Sequence, residues 1–260
     1  MANSIGLEFG SQGNWDYFAA DRGYSEVLRD RLNRGVEMDS ALAMGRYLDQ
    51  HLIGDLDIVD IGGGPGHYFP VIEKCYSGGS ITYRSVDIDA DNIRYGKEFF
   101  TGDSRVSFEE GSVLEPGAML DGTSCVISAN TLPHVPTILA LLNAVNATDS
   151  VQTFLFRMLI GNECVEIRKH LDGKDFSNMF NVGFQHNNIY SLAYLESVLG
   201  AGWKITQLPD VFDNKRLASH SVPMQNNDAS YGNRVSRPVG DMIFKGEIYM
   251  PWAFVLGQRI

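Results

Sequence analysis

From residue 57 onward, short apolar runs alternate along the chain with segments of helical periodicity. Runs at 57–61, 81–86, 105–109, 124–129 and 152–160 each end in a polar or glycine-bearing tip. Their length and β-branched content mark them as strands. Helical spacing begins at His67 and covers 90–100 and 136–146, with Asp89 placed to cap the second of these helices and Pro136 suited to the first turn of the third. Strand alternating with helix predicts an α/β fold with a doubly wound, mostly parallel sheet. Upstream, Asn14–Asn33 and Val36–Leu52 carry apolar residues at helical intervals and predict an N-terminal helical cap over 1–55. Downstream, the regular alternation breaks over 161–190, a short helix after Ser191 stops at Gly200-Ala201-Gly202, and Trp203–Leu208 reads as a sixth strand. An Asn- and Ser-rich insertion at 209–241 is long enough for a lid, and Ile248–Leu256 is expected to close the sheet as its seventh strand. Residues 56–260 then form one core carrying two insertions.

Composition narrows the function classes. With 260 residues, 44% of them hydrophobic, the chain can bury a large core. A net charge of −11 disfavours a phosphate-backbone partner, so no nucleic acid is expected. The basic residues Arg157, Arg168, Lys169 and Lys174 read as a solvated face. Cys75, Cys125 and Cys164 lie far apart, without the spacing of a disulfide framework, and with an unremarkable N-terminus they suit a cytoplasmic protein. The uncharged stretch Gly122–Thr148 is interrupted by Asn130, Pro133, Pro136, Asn143 and Asn146, so it reads as a buried strand and helix and no membrane partner is expected. A homodimer is left open.

The chemistry gathers at the strand tips. Asp57-Ile-Val-Asp60-Ile-Gly62-Gly63-Gly64-Pro-Gly66 joins a buried strand to a glycine turn and a helix, the arrangement that lets a cofactor press against bare backbone. The dinucleotide fingerprint G-x-G-x-x-G fails in both registers, because it demands glycine where His67 or Phe69 stands. The pattern Asp60-x-Gly62-x-Gly64-x-Gly66 resembles instead the first motif of class I S-adenosylmethionine-dependent methyltransferases. Three later tips extend the resemblance. Ile81–Asp87 ends in an acid able to grip both hydroxyls of a ribose, with Ile88 beside it. Val106–Ser112-Val113 is similar to the adenine loop, although Ser112 stands where the family often has an acid. Cys125–Asn130-Thr-Leu-Pro133-His134 resembles the fourth motif, beside the transferred methyl group.

The resemblance implies a Rossmann-like methyltransferase fold of strand order 3-2-1-4-5-7-6, its last strand antiparallel, and S-adenosylmethionine as cofactor. It implies cofactor contacts from Asp60, Gly62, Gly63, Gly64, Gly66, Asp87, Ile88, Ser112, Val113, Asn130 and Tyr24. His134, near the tip of the fourth strand, is the candidate general base for a hydroxyl acceptor. Arg157 interrupts an apolar strand and must meet an anion, either on the acceptor or on a core acid. Tyr17, His186, Asn187, Asn188 and Tyr190 complete the expected acceptor site. No metal is implied, since Asn130 and Arg157 occupy tips where metal-using relatives carry acids. The expected activity is methyl transfer to oxygen or nitrogen of a small, polar, anionic metabolite, by analogy a sugar-containing or natural-product intermediate. The alternatives are a protein or RNA methyltransferase and a non-catalytic S-adenosylmethionine-binding scaffold.

Overall fold

The computed structural model describes residues 22–170, 184–210, 236–239, 242–245, 248–249 and 251–260. Helices α1 (Arg22–Asn33) and α2 (Asp39–His51) precede β1 (Leu56–Ile61), α3 (Phe69–Cys75), β2 (Ile81–Asp87), α4 (Ala90–Phe99) and β3 (Val106–Glu110). Then come β4 (Cys125–Ala129), α5 (Leu139–Ala147) and β5 (Thr153–Gly161). A hairpin of β6 (Arg168–His170) and β7 (Phe184–His186) follows, then β8 (Tyr190–Ser191), α6 (Leu192–Leu199) and β9 (Trp203–Leu208). The chain continues as β10 (Ser236–Val239), β11 (Met242–Lys245), β12 (Ile248–Tyr249) and β13 (Trp252–Arg259).

The main sheet runs β3-β2-β1-β4-β5-β13-β9, with β8 added beside β5. Strands β1 to β5 pair in parallel, while β13 is antiparallel to both β5 and β9. Counting β9 and β13 as the sixth and seventh strands gives the expected order.

Helices cover both sheet faces, so the central strands are apolar at nearly every position. Alternate residues feed two cores. Val59, Ile61, Val126, Phe154 and Phe156 meet Leu141, Leu142 and Val145 of α5 and Leu195 and Leu199 of α6. Their neighbours Ile58, Cys125, Ile127 and Leu155 meet Ala41, Met44 and Leu48 of α2 and Phe69 and Ile72 of α3. As predicted, Asp89 caps α4, its carboxylate accepting from the Asp91 and Asn92 backbone N–H groups. Ser25 of α1 donates to that carboxylate at 2.7 Å, which ties α1 to the start of α4.

Two of the differences from the expected boundaries have a visible cause. The helix expected at 136 begins at Leu139, after a 3₁₀ turn over Leu132–His134. Asn188 is the cause: its backbone N–H donates to the Pro133 carbonyl at 2.8 Å and its amide to those of Val135 and Pro136 at 3.0 and 3.3 Å. Carbonyls turned outward to that side chain cannot begin a helical ladder. The last strand starts at Trp252, four residues later than expected, because Pro251 brings no N–H to the ladder, and Ile248–Tyr249 pairs with β11 in a separate sheet. The parts of the N-terminal segment and of the two insertions that fall in 1–21, 171–183, 211–235 and 240–241, including the lid expectation, lie outside the described residues.

Candidate active site at the carboxyl edge of the sheet

The tips of β1, β2, β3 and β4 converge on the glycine turn. Asp60 ends up beneath that turn, 2% exposed, accepting a hydrogen bond from Tyr83 Oη at 2.5 Å. Gly63 passes directly over it, and a Cβ there would lie 2.9 Å from the Asp60 carboxyl and 2.6 Å from Ser85 Oγ. Gly62 and Gly64 have φ of +74° and +55°, a left-handed conformation that glycine adopts without cost. At Gly62 a side chain would also collide with Thr131, so the turn is seated against the loop after β4.

Asp87 is held from both sides. Its Oδ2 accepts from the Gly64 N–H at 2.8 Å and its Oδ1 from the Asp89 N–H at 2.9 Å. A carboxylate has about four acceptor sites, so capacity remains for a ligand. The Gly111 N–H donates to the Asp87 carbonyl at 3.0 Å, bringing the loop after β3 alongside. There Val113 is buried, Ser112 and Ile88 are half-buried, and Ser112 Oγ accepts from the Leu114 N–H at 3.2 Å. Burial pushes the Asp87 carboxyl up to about 6, against the lowering effect of the Asp89, Gly64 and Ile88 backbone N–H groups. It pushes Asp60 up to about 7, lowered by the Tyr83 bond and raised by the charge of Asp87. Leu28 of α1 packs over Gly64, while Tyr24, one turn earlier on α1, is half-buried.

The tip of β4 carries the acceptor-side chemistry. Among the described residues Asn130 is the one non-glycine with positive φ, at 65°. Its backbone N–H donates to the Arg157 carbonyl at 3.1 Å and its Oδ1 accepts from Arg157 Nη1. Its Nδ2 donates to Tyr68 Oη at 3.4 Å. Arg157 also makes a two-pronged ion pair with Asp210 at 2.9 and 2.8 Å, and its guanidinium lies 4.4 Å from the Trp252 ring centre. Both members of the pair are 6% exposed, so of the two expected partners for Arg157 the structure supplies the acid of the chain itself. The predicted acceptor residues sit on the far side of the same loop. His134 Nδ1 lies 2.9 Å from the His186 carbonyl. A carbonyl only accepts, so Nδ1 carries the hydrogen and a neutral ring keeps its lone pair on Nε2.

His186, Asn187, Asn188 and Tyr190 are all buried. Burial and the charge of Arg168 lower the His186 pKa. The Asn187 N–H donates to the Ile167 carbonyl at 2.9 Å, and Tyr190 stacks on Tyr194 at 5.8 Å. The Asn188 amide, committed to the carbonyls of 135 and 136, clamps the loop after β4 instead of facing an open pocket. Tyr17 lies outside the described residues.

Sequence reasoning missed four contributors. Tyr83 and Ser85 share the face of β2 that ends in Asp87, and a period-two polar series on an apolar strand was the signal for them. Tyr68 and Asp210 carry no comparable mark.

No protein-family model and no curated protein sequence matches the chain. Solved structures do. A chain of the complex between the Haloferax volcanii Trm112 methyltransferase activator and a methyltransferase superposes with a TM-score of 0.53 at 13% identity, over 94% of this chain and 97% of that one. An S-adenosylmethionine-dependent methyltransferase from Mesorhizobium loti gives 0.53 at 12% identity, over 84% and 98%. The N-terminal domain of EvdMO1, solved with S-adenosylhomocysteine bound, gives 0.51 at 13% identity, over 85% and 81%. The fold is that of S-adenosylmethionine-dependent methyltransferases. Among the described residues no helix is long and apolar enough to cross a membrane.

Proposed function

We propose that the chain is an S-adenosylmethionine-dependent methyltransferase acting on oxygen or nitrogen of a small, polar, anionic metabolite, with a natural-product or sugar-containing intermediate as the favoured class. The arrangement of Asp87 carries the reading. Its carboxylate is pinned by the Gly64 and Asp89 N–H groups and keeps acceptor capacity for a ligand hydroxyl such as a ribose offers.

The rest of the turn fits the same ligand. The Gly63 backbone is seated so closely on Ser85 and Asp60 that no side chain fits between them, and two carboxyls destabilised as anions by burial gain from an arriving cation. S-adenosylmethionine supplies a methyl group on a sulfonium. The protein's own part is to hold the acceptor in line, keep water out and take a proton where the acceptor has one to lose. Positioning contributes about 7–11 kcal/mol in favourable cases. His134 serves as the base through Nε2, its ring orientation set by the His186 carbonyl, a contribution on the order of 100-fold to 10,000-fold in rate.

Titration calorimetry of the full chain with S-adenosylmethionine, S-adenosylhomocysteine and NAD tests the cofactor assignment. Binding of the two sulfur nucleosides is expected, with a loss on the order of 100-fold in Asp87→Ala, since two hydrogen bonds to a charged group are removed. Binding of NAD in their place, or affinity indifferent to Asp87→Ala, refutes it. Cofactor binding without turnover of any acceptor would favour the scaffold reading.

A further inference from the structure

The hydrogen-bond directions around Asn130 say more about the acceptor, given the methyltransferase reading above. A guanidinium has donors and no acceptor, so the Asn130 amide can face Arg157 only with its oxygen. Nδ2 then points to Tyr68, whose Oη accepts from it and shares a second hydrogen bond with Ser40 Oγ, 2.7 Å away. One donor-only group thus sets the direction of every bond from Asp210 to Tyr68. Asp210 neutralises the Arg157 charge, so the network adds no net charge beside a cationic cofactor. One N–H of the Asn130 amide is engaged by Tyr68, and no described residue engages the other. The charge-assisted bond on Oδ1 polarises the amide, which weakens that oxygen as a further acceptor and strengthens the remaining N–H as a donor. The left-handed backbone of Asn130, uncommon for a residue with a side chain, is itself held by the Arg157 carbonyl.

We infer that Asn130 presents an N–H, not a carbonyl, to the methyl acceptor, and that the reaction is therefore methylation of an oxygen bearing negative charge as it reacts, such as a phenolate, enolate or carboxylate. An attacking amine becomes cationic and needs an acceptor for its own N–H; the Asn130 oxygen that would serve is turned to Arg157. An oxyanion needs a donor, and the amide supplies one. The oxygen lone pair forms the new O–C bond, the electron pair of the C–S bond stays on sulfur as a thioether, and a hydroxyl acceptor's proton goes to His134. Arg157 is a positioning residue, acting through Asn130.

The test incubates the full chain with S-adenosylmethionine carrying an isotope-labelled methyl group and a small-metabolite extract, and reads the atom bearing the label from the methyl NMR shift of the product. Label on oxygen is expected. Asn130→Gly, which suits the left-handed backbone and deletes the amide, is expected to raise the acceptor KM about 10-fold and to move the rise of kcat/KM with pH upward, because the lost N–H no longer favours the ionised oxygen. Asn130→Asp, which sets an anion against an anion, is expected to be at least as severe. Label on nitrogen, carbon or sulfur, or an Asn130→Asp enzyme as active as the parent, overturns the inference and leaves methyl transfer standing. No labelled product from a cofactor-bound chain removes the methyltransferase reading and this inference with it. Arg157→Lys, still donor-only, is expected to exceed Arg157→Met in kcat/KM for the acceptor; equal values would remove the positioning role.

Discussion

Replacing Gly63 by alanine isolates the close approach at the centre of the site. The backbone there has no positive φ, so no strain arises from a left-handed conformation and the consequence is one of space alone. The new methyl group would sit 2.6 Å from Ser85 Oγ and 2.9 Å from the Asp60 carboxyl. Neither neighbour is free to retreat: Ser85 donates to the Gly64 carbonyl at 2.8 Å and Asp60 accepts from Tyr83 at 2.5 Å, both in the buried interior. Overpacking of this kind costs about 1–3 kcal/mol, and displacing one of the two hydrogen bonds adds about 1 kcal/mol. Alanine returns about 0.4–1 kcal/mol by restricting the unfolded chain. The expected net loss is about 2–3 kcal/mol, which for a chain of this size lowers Tm by about 4–12 °C. Gly202→Ala is the control, since a Cβ there meets nothing within 4 Å and its φ is ordinary; it is expected to be neutral or slightly stabilising. Urea unfolding of both variants and of Gly63→Ala/Ser85→Ala gives the comparison, the double variant recovering part of the loss because its tightest contact is gone. If Gly63→Ala matches Gly202→Ala in stability and keeps full cofactor affinity, the packing described over Asp60 is wrong.

Arg157→Met leaves the Asp210 carboxylate buried without its partner and is expected to cost about 3–5 kcal/mol in urea unfolding, whereas Arg157→Met with Asp210→Leu recovers most of it; a double variant no better than the single one refutes the pairing. Asp60 is raised from 3.8 to about 7 in the folded protein, so the folded state holds its proton longer than the unfolded chain does. Its contribution to stability is full below pH 3.8 and is lost as pH rises through about 7, and Asp60→Asn is expected to flatten the stability profile across that window. The same ionisation favours a cationic ligand, so S-adenosylmethionine is expected to bind more tightly at pH 8 than at pH 6 and to release protons measurable by calorimetry in buffers of different ionisation enthalpy; pH-independent binding refutes the linkage.

The strands and the glycine turn were legible because their signals are local. An apolar run ending at Asp60, Asp87 or Asn130 declares both a buried strand and its functional end, and Asp89 announces its helix by position. The strand order was legible only through the resemblance, since no periodicity tells β13 to enter between β5 and β9. What escaped the sequence depends on partners distant along the chain. The late start of α5 is imposed by Asn188, and the pairing of Arg157 is decided by Asp210. Arg157 shows the boundary well: burial in an apolar strand demanded an anion, but charge alone did not say whose. Tyr68, in the segment between the glycine turn and α3, acquires its role from Asn130 and Ser40, neither of which its own neighbourhood foretells.

The position of β13 constrains how the molecule comes into being. Among the described residues β9 has β13 as its one neighbour in the main sheet, yet β13 leaves the ribosome after both strands that it joins. Until residues 252–259 emerge, β9 has no ladder to join and β5 presents a bare edge with Phe154 and Phe156 beside it. Assembly of this side of the sheet therefore waits for a strand that must insert between two earlier ones, and until it arrives the nascent chain carries an open seam vulnerable to intermolecular strand pairing.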